Sequence, residues 1–125
     1  DITGFGLGGH LLEMLEASKL SAVIHAGAIP LLPRALELAE QGLVPVGSHA
    51  NRTYRNGLYR AGAATDPLLV DMVFDAQTSG GMLLAVPPSQ TGEALAFLHD
   101  RGETADCIGE VVPMKNGISQ LSILP

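Results

Sequence analysis

Apolar and polar positions change period several times along this chain. Leu7, Leu11, Leu12 and Leu15 recur at helical spacing, which predicts a first helix that fades near Ser18. Ser21-Ala-Val-Ile-His25 is short and β-branched and predicts a strand, with His25 at a sheet margin. Pro30 and Pro33 open a second helix that runs through Glu40, with Leu32, Leu36 and Ala39 on one face and Gly42 as its stop. From Leu43 to Ala64 the pattern is irregular, broken by Pro45, Gly47 and Gly57. Asp66-Pro67 has the form of an N-cap followed by a first-turn proline, predicting a short helix through Leu68, Leu69 and Met72, although Val70 and Val73 also fit a buried strand. Met82-Leu-Leu-Ala-Val86 predicts a strand ended by Pro87-Pro88, and Ser89 to Asp100 an amphipathic helix closed by Gly102. A strand through Val112, a turn at Lys115-Asn116-Gly117 and a strand from Ile118 to Leu124 complete the chain as a hairpin. Strands and helices alternate without a regular βαβ repeat, so the expected fold class is α+β, a mixed sheet covered by helices.

Composition narrows this further. With 125 residues and 46% hydrophobic content, one domain spanning 1–125 is expected. Only 4% of residues are aromatic and none is Trp, so Leu, Ile, Val, Ala and Met are expected to form the core. A formal charge of −6 argues against nonspecific nucleic-acid binding, and no run is long or apolar enough to suggest a membrane span. The single Cys107 excludes an internal disulfide and suits a reducing, cytoplasmic setting. Lying in the apolar run Asp106-Cys-Ile-Gly-Glu-Val-Val112, it is expected to be a buried, inert core thiol.

Candidate chemistry gathers in the first fourteen residues, Asp1-Ile-Thr-Gly-Phe-Gly-Leu-Gly-Gly-His10-Leu-Leu-Glu-Met14. A glycine-rich loop feeds a helix whose first N–H groups lack internal partners, a junction that favours oxyanions, and glycine lets a phosphate reach the main chain. Gly4 and Gly6 are the candidate phosphate-proximal residues. Asp1 would repel a bare phosphate and makes better sense as an oxygen ligand for magnesium, which takes one or two carboxylates and fills its octahedron with phosphate oxygens and water. A purely structural loop, with Thr3 or Asp1 capping the helix and the glycines allowing tight packing, fits the same spacing. Gly4, Gly6 and Gly9 also match G-x-G-x-x-G, but no strand precedes them and no acid lies between Glu16 and Glu37, so a dinucleotide fold is not supported.

The other polar residues suggest less. Arg52, Arg55 and Arg60 hold three of the seven basic residues. This positive segment in an acidic chain could face phosphates, with His49 and Asn51 nearby, and on a short helix Arg52 and Arg55 would share a side, yet a solvated turn pairing with the surplus acids is the favoured reading. Asp75, Gln77, Thr78 and Ser79 precede Gly80-Gly81 in a loop expected to satisfy backbone hydrogen bonds, a reading narrowly ahead of direct substrate contact as part of the active cleft. Ser79 lacks a nucleophile elbow, and the four histidines lack zinc-ligand spacing.

The opening segment closely resembles the Asp-Val/Ile-Thr-Gly-Phe-Gly-Leu-x-Gly-His block of the selenophosphate synthetase (selenide, water dikinase) family. Phe74-Asp75-Ala76-Gln77-Thr78-Ser79-Gly80-Gly81-Met82-Leu83 resembles that family's Phe-Asp-Pro-Gln-Thr-Ser-Gly-Gly-Leu-Leu. Leu31 to Ala39 and Ile108 to Val111 also fall where the family has like segments. Two departures stand out: Gly8 where Leu is commoner, and Ala76 where the family has Pro, a change expected to loosen the second loop. Proline restored at 76 is expected to stabilise the domain by roughly 0.4–1 kcal/mol.

The resemblance implies the C-terminal domain architecture of the aminoimidazole ribonucleotide synthetase superfamily. It implies a parent enzyme using ATP, Mg2+ and selenide to make selenophosphate with release of AMP and phosphate. The nucleophilic Cys or selenocysteine, a Lys, most magnesium carboxylates and a homodimer interface would lie in an N-terminal domain. Of the family's ligands only the Asp that opens the first block maps here, onto Asp1. The chain opens inside a motif without Met, which suggests the C-terminal piece of a longer enzyme, inactive alone. Another ATP-dependent superfamily member acting on an amide or carbamoyl substrate, and a noncatalytic partner-binding module, remain as alternatives.

Overall fold

In the computed structural model, which describes residues 1–125, a four-stranded mixed sheet has the order β2 (Tyr59–Ala61), β4 (Leu121–Leu124), β1 (Leu20–His25), β3 (Gly109–Pro113). Helix α1 (Gly6–Ser18) buries Leu7, Leu11, Leu12 and Leu15, as their spacing requires, and ends at Lys19 in the left-handed region. Strand β1 (Leu20–His25) follows at once. Its His25 stays exposed at the margin, with Nδ1 3.2 Å from the Pro125 carbonyl oxygen.

Helix α2 spans only Ala35–Glu40, shorter than expected, because Arg34 before it takes a positive φ of 68° and breaks helical continuity with the Pro30–Pro33 stretch. Leu32 is therefore outside the helix and 78% exposed, whereas Ala39 is buried. Helix α3 (Val46–Tyr54) and the short strand β2 (Tyr59–Ala61) occupy the stretch that looked irregular. Helix α4 (Pro67–Val73) settles the helix-or-strand ambiguity: Asp66 accepts a hydrogen bond from the Leu68 N–H at 2.9 Å, and Pro67 fills the first turn.

Helix α5 (Thr91–His99) forms as expected and Gly102 ends the region with φ +79°, but it buries no residue. Phe97 is 54% exposed and is covered by the Arg101 guanidinium, 3.4 Å from the ring centroid. Strands β3 (Gly109–Pro113) and β4 (Leu121–Leu124) finish the sheet. No helix is long and apolar enough to cross a membrane.

Three sequence expectations are corrected here. The Asn116-Gly117 turn forms, with both residues at positive φ (55° and 73°), but its strands do not pair as a hairpin. Instead β1 lies between them, antiparallel to β3 and parallel to β4. The inward pairs Ala22↔Leu121 and Ile24↔Ile123 are almost wholly buried, so burial of β1 outweighs direct closure of the hairpin. Met82–Val86 belongs to no strand, since a β-rich run becomes a strand only where a neighbour offers its ladder. Met82 and Leu84 are 68% and 54% exposed, and Leu83 alone leans on the core. Cys107 is exposed rather than buried, because β3 begins only at Gly109.

The core joins α1, β1, α4 and β4. Its centre is Phe74, fully buried and stacked obliquely on Tyr59 at 4.7 Å between centroids. No methionine enters it; Met14 and Met82 are exposed. An aromatic-poor sequence thus places one of its three Phe at the point where helix and sheet meet.

Candidate functional site

The two motif blocks, 70 or so positions apart in sequence, form one structure. Ile2 N–H donates to the Gly81 carbonyl at 2.9 Å, and Gln77 N–H donates to the Thr3 carbonyl at 3.2 Å. Thr3 also accepts from the Gly6 N–H at 2.9 Å, closing the loop onto α1. Neither Thr3 nor Asp1 caps the helix by its side chain: Phe5 occupies the N-cap position without a side-chain bond. The Thr3 hydroxyl lies 2.9 Å from His10 Nε2, and His10 Nδ1 lies 3.0 Å from Glu13 Oε2.

Contacts separate the glycines. Gly6 is buried with φ +71°, and a Cβ there would lie 2.6 Å from the Asp75 carbonyl oxygen. At Gly80 a Cβ would lie 2.1 Å from the Ile2 carbonyl oxygen, so the second loop can lie against the first only as glycine. A Cβ on Gly8 would meet Val73 and Phe74 at 2.7 and 2.8 Å, so this helix face has no room for a larger residue. Gly4 differs, with nothing within 4 Å of a Cβ built there. Asp1 is exposed, and the ion pairs of the molecule lie elsewhere.

Helix α3 supplies a third wall, from which the sequence picks out Asn51 beside the arginines but not Ser48. Ser48, 3% exposed, donates from Oγ to Asp75 Oδ1 at 2.7 Å and accepts from the Ala76 N–H at 3.0 Å. Gln77 Nε2 donates to Asp75 Oδ2 at 2.6 Å, so both carboxylate oxygens of Asp75 are engaged. Asn51 Nδ2 donates to the Gly4 carbonyl at 2.7 Å and to the Phe74 carbonyl at 3.2 Å. The available signal was a polar pair three residues apart, hidden because Pro45 and Gly47 disguise the helix start.

Arg52 and Arg55 pair with acids as expected, but at the end of α3 rather than in a solvated turn. Arg55 is 9% exposed and reaches Glu13 at 3.4 Å and Glu16 at 3.2 Å on α1. Arg52 donates from Nε to the Tyr59 hydroxyl at 3.0 Å and also pairs with Asp71 of α4. The Tyr59 bond first, then Asp71, hold the Arg52 guanidinium above its ordinary pKa against partial desolvation. Arg60 stays exposed.

A cleft of about 360 Å³ opens beside this junction, lined by Phe5, Glu13, Ala50, Asn51, Tyr54 and Arg55. A larger hollow of about 470 Å³ lies away from the glycine loop, around Lys19, Met114 and Ile118. No cluster of three or more His, Cys, Asp or Glu able to hold a metal exists in the chain. Asp1 is then a single carboxylate, within the one or two that magnesium takes beside phosphate oxygens and water.

A family model described as the AIR synthase related protein, C-terminal domain, matches residues 1–122. The chain belongs to this family. This AIR synthase related domain is 48% identical over 125 residues to a protein named selenide, water dikinase from Nitratidesulfovibrio vulgaris (strain DP4), covering 100% of the chain and 36% of that relative. A selenide, water dikinase from Pelobacter propionicus is 45% identical over 113 residues, with 90% of the chain and 32% of the relative covered. Another from Shewanella sp. (strain ANA-3) is 41% identical over 115 residues, covering 89% and 31%. The domain thus spans about a third of the length of the curated relatives it matches.

The position where this domain carries Ala76 rather than the expected proline has a physical account. The Ala76 N–H is a donor in use, so Ala76→Pro removes its bond to Ser48, a loss of about 0.5–1.5 kcal/mol. The gain from a stiffer unfolded chain, about 0.4–1 kcal/mol, does not offset that loss together with the local readjustment it forces. The sign expected from sequence therefore reverses, and Ala76→Pro should lower the melting temperature. A raised melting temperature would show that the Ser48 bond carries no stability.

Proposed function

We propose that this domain is the C-terminal part of an ATP-dependent selenide, water dikinase, converting ATP, selenide and water to selenophosphate, AMP and phosphate. The observation that carries the reading is the junction of the two motif blocks around an exposed Asp1, with Gly4 open where the neighbouring glycines are packed. The names of the relatives supply the chemistry, and their greater length supports an N-terminal domain that would complete the site, hold the nucleophile and form a homodimer. A cytoplasmic location fits this assignment.

In this reading Asp1 holds Mg2+, which when bound neutralises charge on the ATP phosphates. The open main chain at Gly4 lets phosphate oxygens approach without meeting a side chain. Gly6, whose N–H is committed to Thr3, acts through the shape of the loop. Asp75 anchors the loop with both oxygens already satisfied.

The test is turnover of the full-length protein followed by phosphorus NMR with ATP, magnesium and selenide. Selenophosphate, AMP and phosphate should appear together, and only with selenide and magnesium present. ATP consumption that ignores selenide but responds to an amide or carbamoyl substrate would replace this reading with the other superfamily activity. Absence of any magnesium-dependent nucleotide binding would leave a docking module.

A further inference from the structure

We infer that Ser48 and Asn51 of α3 are positioning residues that hold the Asp1–Gly4 loop and the 74–81 loop in one fixed arrangement. The catalytic part of this inference rests on the function proposed above; the structural part stands by itself. One helical turn separates the two residues, so they share a face of α3. That face meets Gly4, Phe74, Asp75 and Ala76 through four hydrogen bonds.

The chemistry of the partners sets the direction of each bond. Both acceptors of Asn51 are carbonyl oxygens, so the amide must present its nitrogen, and no reversed orientation satisfies them. The Ala76 N–H can only donate and the Asp75 carboxylate accepts, so the Ser48 hydroxyl accepts from one and donates to the other. Asn51 therefore bridges the first loop and the start of the second, while Ser48 fastens Asp75 and Ala76 of the second loop to α3.

The helix that carries them is itself braced on both sides. Arg55 ties α3 to Glu13 and Glu16 of α1, and Arg52 ties it to Asp71 of α4. A braced helix with a polar face turned toward a loop can hold a binding geometry in place. Asn51 reaches the carbonyl of Gly4, the one glycine of the first block with nothing within 4 Å of a built Cβ.

Asn51→Asp is the decisive variant, because it keeps the shape while turning an oxygen toward two carbonyl oxygens. Ser48→Ala is the milder companion should the first fail to fold. In the full-length protein, amide hydrogen exchange at Ile2 and Gln77, whose N–H groups bridge the two loops, should accelerate about tenfold relative to amides of β1. The magnesium concentration for half-maximal turnover should rise about tenfold or more. Uniform acceleration across the domain, or no change at Ile2 and Gln77, overturns the clamp. Loosened loops with an unchanged magnesium requirement overturn its positioning role, provided Asp1→Asn still lowers turnover sharply. If Asp1→Asn has no effect, the proposed metal role fails, and the exchange result alone decides the clamp.

Discussion

Asp1→Asn in the full-length protein should lower turnover about 100-fold or more while leaving the melting temperature essentially unchanged. The side chain is exposed and enters no ion pair, so the fold has nothing to lose with its charge. Asparagine keeps the size and one oxygen and removes the negative charge, which is what a magnesium ligand supplies. Residues that only orient a ligand cost 10–100-fold in affinity or activity when lost, so about 100-fold is a modest expectation for the ligand itself. Turnover near normal at saturating magnesium would return Asp1 to a structural reading. A parallel fall in melting temperature and turnover would do the same.

Gly6→Ala should be the most damaging change to the fold, with urea unfolding showing a loss of about 2–5 kcal/mol. Two costs add there. A left-handed backbone costs about 1–2 kcal/mol for a residue with a Cβ, and Gly6 sits at φ +71°. The new Cβ would also lie 2.6 Å from the Asp75 carbonyl oxygen and 2.8 Å from the Phe74 carbonyl carbon, backbone atoms that cannot swing aside. Overpacking of that kind costs about 1–3 kcal/mol. Gly4→Ala is the matched control: with nothing within 4 Å it should change stability by less than about 0.5 kcal/mol, and any effect it has should appear in nucleotide use. Equal stability losses for the two variants would mean that the glycines of this loop share one packing role.

The motif residues themselves were legible in the sequence, but the reason for each was not. Gly4 and Gly6 look alike in a pattern of spacing, and only the approach of Phe74 and Asp75 distinguishes the packed one from the open one. The sequence favours a role for Asp75 within its own loop, and Ser48 and Gln77 do occupy both its oxygens, the first of them from a helix distant in sequence. The spacing of Ser48 and Asn51 hinted at a shared helix face but not at what it meets, since their partners lie 23 to 47 positions away along the chain.

By itself the sequence determined what depends on neighbours within a turn or two. The leucine spacing makes α1, Asp66-Pro67 starts α4, and Asn116-Gly117 supplies the positive φ of a tight turn. Tertiary structure decided what depends on partners distant in sequence. It placed β1 between the strands of the expected hairpin, left Met82–Val86 without a ladder, exposed Cys107 and buried Arg55 between Glu13 and Glu16. The physical reason is the same in each case: helix starts and turns are set by local hydrogen bonds and dihedral preference, whereas strand pairing and burial are set by which surfaces meet.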